Sequence, residues 1–147
     1  MDNIKAEYTF QDAQAKPDWA QFTRLGGDRV AILFEDLRTQ ISAISGLVEE
    51  LHFSEQGQGW GPRYRVGDRV LLKVHIAPGN LDATVELEET LFINLLSSPK
   101  IAHKIKLWFR AASIREGIAL LRVRLLTRAD ICSLAHLVVM ISREHVG

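Results

Sequence analysis

The chain has 147 residues, of which 47% are hydrophobic and 24% charged, and its 18 basic residues are balanced by 18 acidic ones. This is the composition of one globular domain, and a net charge of zero disfavours nucleic acid and anionic membranes as partners because long-range attraction is missing. With Cys132 as its only cysteine, the chain can form neither an intrachain disulfide nor a cysteine-based zinc site.

Targeting and membrane-spanning patterns are weak along the whole sequence. The N-terminus is polar, and the longest apolar run, residues 134–141, is far shorter than the roughly 20 residues of a membrane span. We therefore expect a cytoplasmic protein. Cys132 lies within an apolar helical pattern, which predicts a buried and inert thiol.

The N-terminal half is predicted to be mainly helical. Residues 1–16 lack periodicity and are expected to form a partly ordered arm, followed by a single α+β domain over residues 17–147. A short helix that stops at Gly26 opens this domain. Apolar residues then recur every three or four positions over residues 28–52, which predicts one long amphipathic helix. The glycine-rich stretch over residues 57–62 predicts a loop. Residues 64–66 are expected to begin a strand that turns at Gly67 and Asp68 into the next one.

The clearest pattern is a hairpin over residues 69–88, in which apolar and polar residues alternate. One face of a half-buried strand pair is apolar and the other is free. The free face is predicted to carry Arg69, Lys73, His75, Asp82, Thr84, Glu86 and Glu88. Pro78 and Gly79 fit a type II turn, which sets the register. The predicted cross-strand pairs are Ile76–Leu81, His75–Asp82, Lys73–Thr84 and Arg69–Glu88.

The C-terminal half alternates between helix and strand. Residues 88–97 fit a short helix, and Ser98 is a good start for a second one. Residues 117–126 alternate again and predict a strand with Arg122 and Arg124 on its polar face. Thr127 to Asp130 fits a capping box that opens a final helix. The predicted fold is therefore α+β, with an antiparallel sheet of about four strands and helices packed on one face.

Motifs for catalysis, metals and cofactors are missing from the sequence. The histidines lack zinc-site spacing, the glycine-rich stretch does not follow a convincing strand, and no cofactor is predicted. A carboxylate beside an imidazole can orient the ring and raise its pKa, as in general-base pairs. A small enzyme that uses His75 and Asp82 as an acid–base pair is therefore one hypothesis. The structural alternative is an exposed cross-strand pair.

The polar sheet face and its aromatic entrance form the candidate ligand site. Trp60 and Tyr64 flank the entry into the sheet, where aromatic rings can line a pocket or anchor the loop. The candidate ligand-binding residues are Trp60, Tyr64, Lys73, His75, Asp82, Glu86, Arg122 and Arg124. The leading hypothesis is a non-enzymatic module that binds a small ligand or a protein partner. A further hypothesis is a homo-oligomeric structural module, for example a homodimer, in which the sheet or the final helix pairs with a copy of itself. The polar face could also meet only water.

Several stretches carry a family resemblance. They are Trp60, residues 64–72, 76–79, 81–85, 117–120, 122–123 and 126–131, and Leu134. With these stretches the chain resembles a family of small bacterial proteins of unknown function, similar to YdhG-like α+β domains, over roughly residues 28–145. The resemblance implies a single small α+β domain and brings no established reaction or catalytic residues.

Overall fold

The computed structural model describes residues 16–54 and 59–144, apart from the side chain of Thr23. This part of the chain forms five helices and six strands in the following order. They are α1 Trp19–Leu25, α2 Asp28–Ile41, β1 Leu47–Ser54, β2 Gly59–Val66, β3 Arg69–Ala77, β4 Asn80–Glu88, α3 Glu89–Leu96, α4 His103–Arg110, β5 Ser113–Arg115, β6 Ile118–Arg124 and α5 Arg128–Glu144.

The strands form one sheet in the order β1-β2-β3-β4-β6-β5, and every neighbouring pair is antiparallel. The predicted α+β class with an antiparallel sheet is confirmed. The sheet is larger than the expected four strands, because β1 and β5 were not predicted as strands. Among the described helices, none is long and apolar enough to cross a membrane.

One hydrophobic core lies between the sheet and the helices. Each helix contributes a buried side chain to it, namely Phe22 from α1, Phe34 from α2, Phe92 from α3, Phe109 from α4 and Leu134 from α5. Burying a side chain of this size contributes about 1.5–3 kcal/mol. Because all five helices share this core, they cover the same face of the sheet.

The strands contribute alternate residues to the core, as expected for a sheet covered on one side. The buried strand residues of the centre are Leu72, Val74, Ile76, Leu81, Ala83, Val85, Leu87, Ala119, Leu121 and Val123. The intervening residues, among them Lys73, His75 and Arg122, are half-buried or exposed. We call the face that carries these intervening residues the open face. The two-sided hairpin predicted from the sequence is thus confirmed.

The predicted long helix over residues 28–52 is wrong in its second half. Helix α2 ends at Ile41, and Leu47–Ser54 forms the edge strand β1. Gly46, with φ of 75°, lies just before β1 in a backbone conformation that favours glycine. Val48 and Leu51 fall on the helical spacing only by coincidence.

The predicted loop over residues 57–62 is also corrected. Strand β2 begins at Gly59, so only residues 55–58 separate it from β1, and these lie outside the described residues. Residues 1–15 of the predicted N-terminal arm lie outside them as well. The glycines misled the prediction because glycine is depleted in ordinary strands.

The predicted register of the hairpin is confirmed at its turn end. Ile76 pairs with Leu81, His75 with Asp82 and Lys73 with Thr84. The pairing predicted between Arg69 and Glu88 is absent from the register of the two described strands.

The reason is an irregularity between β2 and β3. The pairing of Tyr64 with Leu72 is followed by that of Arg65 with Val70, so Leu71 is an extra residue in β3. Leu71 and Leu72 are both buried. Beyond this bulge the faces exchange, and Arg69 donates a hydrogen bond of 3.1 Å from Nη1 to the carbonyl oxygen of Ile141 in α5. Arg69 therefore faces the helices rather than the predicted free face.

The C-terminal elements follow the predicted order with two adjustments. The short helix is confirmed as Glu89–Leu96, and the predicted strand as Ile118–Arg124. The second helix begins at His103 rather than at Ser98, whose hydroxyl instead accepts a hydrogen bond from the backbone N–H of Lys100 in a turn.

The final helix begins with the predicted capping box. The backbone N–H of Asp130 donates to Oγ1 of Thr127 at 3.2 Å, and Oδ2 of Asp130 accepts from the N–H of Thr127 at 3.1 Å. The prediction of a buried Cys132 on this helix is wrong, because the thiol is exposed and lies 3.5 Å from Nε2 of Gln40. The helical spacing placed it near the stripe but not on it.

A network of polar side chains joins α2 to the edge of the sheet. Arg38 of α2 binds Glu49 of β1 through two hydrogen bonds of 2.7 and 2.8 Å, and Glu35 through a third of 2.6 Å. The hydroxyl of buried Tyr64 in β2 donates to the same Glu49 at 2.7 Å. Two-pronged contacts between arginine and carboxylate fix geometry as well as adding energy. This network therefore holds β1 and β2 in place beneath the open face.

Candidate functional site

The pairing register lines up the outward residues of successive strands in rows across the open face. Neighbouring strands are about 4.8 Å apart, so the members of a row are close neighbours. One row, running from β1 to β6, contains Glu50, Arg63, Lys73, Thr84 and Arg122. The next row contains the paired sets His52–Gly61 and His75–Asp82–Arg124.

A shallow depression lies where β1, β2 and β3 meet on this face. Its cavity volume is about 20 Å³, which is enough for one ordered water or one oxygen of a charged group. It is lined by His52, Ser54, Gly59, Trp60, Gly61, Pro62, Arg63, Lys73, Val74 and His75. The depression forms because β2 has glycine, Gly59 and Gly61, at outward positions, and Gly61 is paired with the much larger His52 of β1.

Gly61 also meets a backbone requirement. A Cβ atom at this position would lie 2.4 Å from the carbonyl oxygen of Val74, a distance that forces the strands to shift. The close approach of β2 and β3 therefore explains why glycine is needed here. The close approach of the strands does not explain the basic side chains around Gly61.

Some charges on the open face neutralise one another. Glu50 accepts hydrogen bonds from Arg65 at 2.7 Å and from Arg63 at 3.0 and 3.1 Å. These bonds, that of Arg65 foremost, hold the pKa of Glu50 below its ordinary value against the opposing effect of burial. Farther along, Oδ1 of Asp82 accepts a hydrogen bond of 3.1 Å from Nε of Arg124.

Lys73 is a cation that borders the depression. Within residues 16–54 and 59–144, its ammonium group forms no ion pair. Arg63, its neighbour in the row, shares with Arg65 the one carboxylate that it binds among these residues. The described residues that border the depression therefore carry more positive than negative charge.

The titration of His52 responds to the same surroundings. Burial, followed by the charges of Arg63 and Lys73, lowers the pKa of His52 below its ordinary value, and Glu50 opposes this only weakly. His52 is thus expected to be neutral at pH 7, with one ring nitrogen able to donate and the other able to accept. A bound anion would counteract the nearby cations and raise this pKa again.

The structure separates the predicted ligand residues into two groups. Those on the open face are Lys73, His75, Asp82, Glu86, Arg122 and Arg124. Of these six, Lys73 and His75 border the depression. Glu86 is paired with Leu120 of β6, one row farther from the depression than Arg122.

The two aromatic residues predicted at the site turn toward the helices. Tyr64 is buried with 1% exposure and binds Glu49, so it does not share a surface with Lys73. Trp60 borders the depression, but its ring packs edge-on against Phe53 with centroids 5.6 Å apart and contacts the core. Trp60 therefore fits the anchoring role that was the alternative to ligand contact.

The geometry gives no support to an acid–base pair of His75 and Asp82. They are cross-strand partners as predicted, but the Asp82 carboxylate binds Arg124, and no hydrogen bond joins it to His75 in the described part of the chain. Nor do the described residues contain a group of three or more His, Cys, Asp or Glu side chains that could hold a metal ion.

Sequence reasoning missed two nitrogen-bearing side chains that border the depression, His52 and Arg63. They were overlooked because β1 was interpreted as helix and the start of β2 as loop. A signal was present, since Glu50, His52 and Ser54 alternate with the more apolar positions Leu51 and Phe53.

Comparison with protein-family models, with curated proteins and with solved structures finds no significant match to this chain.

Proposed function

We propose that the chain is a non-enzymatic binding module whose open face takes up a small anionic ligand carrying phosphate or carboxylate groups. One observation carries the proposal: the depression over Gly61 is bordered by Lys73, which lacks an ion pair among the described residues, together with Arg63 and two histidines. A negatively charged oxygen placed there could accept hydrogen bonds from these donors.

The small volume of the depression fits an anchoring point better than an enclosing pocket. Most pockets for small molecules have about 300–1,000 Å³, more than ten times the volume found here. The body of the ligand would therefore extend over the open face. Glu86 lies on the far side of Arg122 from the depression and would repel an anion there. We therefore expect the ligand to extend toward His52.

The resemblance to YdhG-like domains stays a prediction, and it supplies no competing activity. An enzyme that uses His75 and Asp82 is less well supported, because the carboxylate is bound to Arg124. Binding without chemistry needs only the charges and the depression.

Calorimetric titration with inorganic pyrophosphate and with citrate at low ionic strength tests the proposal. We expect saturable binding with a stoichiometry of one, weakened by added salt because the cations are only half-buried. Replacing Lys73 by glutamine removes one unpaired charge, and the affinity should fall by about fivefold to tenfold, or about 1–1.4 kcal/mol.

The matched control is Arg110→Gln, which removes one positive charge from the exposed end of α4 and leaves the open face intact. Its affinity should equal that of the unmodified chain. If both substitutions weakened binding equally, the affinity would depend on net charge and not on the open face, which would contradict the proposal. The absence of saturable binding by either anion would overturn the proposed function.

A further inference from the structure

A second candidate site lies on the opposite side of the sheet, between helices α3 and α5. Its cavity volume is about 440 Å³, within the usual range for small-molecule sites of about 300–1,000 Å³. We call it the α3–α5 groove. It is lined by Leu91, Asn94, Leu95, Ser98, Lys100, His136, Met140, Arg143 and Glu144.

The floor of the groove is apolar. Leu91 and Leu95 come from α3 and Met140 from α5; Leu95 is buried, while the other two are half-buried and pack against the core. A groove between helices with exposed apolar atoms on its floor gains free energy when an aliphatic group covers them, at about 25 cal/mol for each Å² removed from water. Methionine also adapts its shape to different partners.

The rim of the groove is polar and more positive than negative. Lys100 and Arg143 are exposed, and neither forms an ion pair with any residue in the described ranges. Of the described residues in the lining, Glu144 is the only one with a carboxylate. Ser98 accepts a hydrogen bond of 3.2 Å from the N–H of Lys100, which leaves its own O–H able to donate.

From this combination we infer that the α3–α5 groove binds an amphipathic carboxylate, that is, an aliphatic chain ending in a carboxylate group. The aliphatic chain would lie on Leu91 and Met140, and its carboxylate would accept hydrogen bonds at the rim from Lys100 and Arg143. The inference does not rest on the proposed function, because the groove and the open face lie on opposite sides of the sheet and share no residue.

Calorimetric titration of the full chain with octanoate tests the inference. Two probes of the same chain length serve as ligand controls: octan-1-ol, which lacks charge, and octylammonium, which reverses it. Octanoate should bind saturably at one site and more tightly than either control. Replacing Arg143 by glutamine should lower the affinity for octanoate by about tenfold, because a charge-assisted hydrogen bond is lost.

A steric variant makes the test independent of charge. Asn94→Trp places a large ring in the groove from an exposed position, and it should abolish octanoate binding. Ile93→Trp is its matched control, because Ile93 is exposed on the same helix and does not line the groove. Thermal unfolding should show that both variants remain folded.

One substitution at each site separates the two proposals. Lys73→Gln should leave octanoate binding unchanged, and Arg143→Gln should leave pyrophosphate binding unchanged. The inference is overturned if octanoate does not saturate, if octylammonium binds equally well, or if binding survives both Arg143→Gln and Asn94→Trp.

Discussion

Replacing Asp130 by asparagine should destabilise the protein through one defined site, the start of α5. This carboxylate is nearly buried, with 10% side-chain exposure, and forms an ion pair with Lys104. Its Oδ2 accepts hydrogen bonds from the backbone N–H groups of Leu126 at 2.8 Å and Thr127 at 3.1 Å. Asparagine has nearly the same shape but carries no charge, so packing should be preserved while the electrostatic contacts weaken.

The magnitude follows from these contacts. Loss of a helix-capping interaction costs about 1 kcal/mol, and an ion pair with the half-exposed Lys104 contributes about 1 kcal/mol after solvent screening. Hydrogen bonds to a charged acceptor are also stronger than those to a neutral amide. We therefore expect a loss of about 2–3 kcal/mol at pH 7, or a decrease in Tm of about 5–10 °C.

The pH dependence has a definite sign. Burial opposes ionisation of Asp130, but Lys104 and the two backbone N–H groups outweigh it and hold its pKa below the ordinary value. A carboxyl group with a lowered pKa in the folded state stabilises the protein above its unfolded pKa of about 3.9. This contribution is lost as the pH falls through the folded pKa. The difference in the free energy of unfolding between the unmodified chain and Asp130→Asn should thus be full at pH 7 and smaller at pH 3.

Urea unfolding followed by tryptophan fluorescence at both pH values measures this difference. Asp68→Asn is the matched control, since Asp68 is exposed in the turn between β2 and β3. The reasoning would be refuted if Asp130→Asn cost less than about 0.5 kcal/mol at pH 7, the usual effect of a surface substitution. An equal loss at pH 7 and pH 3 would also refute it.

Three further predictions concern the sheet. Tyr64→Phe should cost about 1–2 kcal/mol in urea unfolding because the hydroxyl donates to Glu49, and an unchanged midpoint would contradict this. Gly61→Ala should lower stability by about 1–3 kcal/mol because its Cβ would lie 2.4 Å from a backbone oxygen; a neutral effect would mean that β2 and β3 lie farther apart. In proton NMR titrations the pKa of His52 should lie below about 6.5 and rise with pyrophosphate, whereas an unchanged value would exclude an anion beside it.

Local patterns were sufficient for the hairpin at the centre of the sheet. The alternation around Val74 and the Pro78-Gly79 turn together define both face and register, and the structure confirms Ile76 opposite Leu81. The prediction failed at Arg69, because the bulge at Leu71 depends on how β3 pairs with β2. Strand pairing of that kind leaves no mark in the sequence of one strand alone.

The candidate site was predictable only in part for the same reason. Lys73 and His75 could be placed on the open face from alternation within their own strand. His52 and Arg63 reach the same place through β1 and β2. Helix-like spacing concealed β1, and the glycine-rich stretch concealed the beginning of β2. Arg38 and Glu49 are 11 residues apart, and a continuous helix over both would place them on different turns. Their contact could therefore not be predicted while β1 was interpreted as helix.

The most direct test of the account is a backbone NMR titration of the unmodified chain with inorganic pyrophosphate. The amide signals of His52, Gly61, Lys73 and His75 should shift together with a single dissociation constant, while those of α5 should stay in place. Shifts spread over the helices, or no shift around Gly61 at millimolar pyrophosphate, would contradict the claim that the open face is the binding surface.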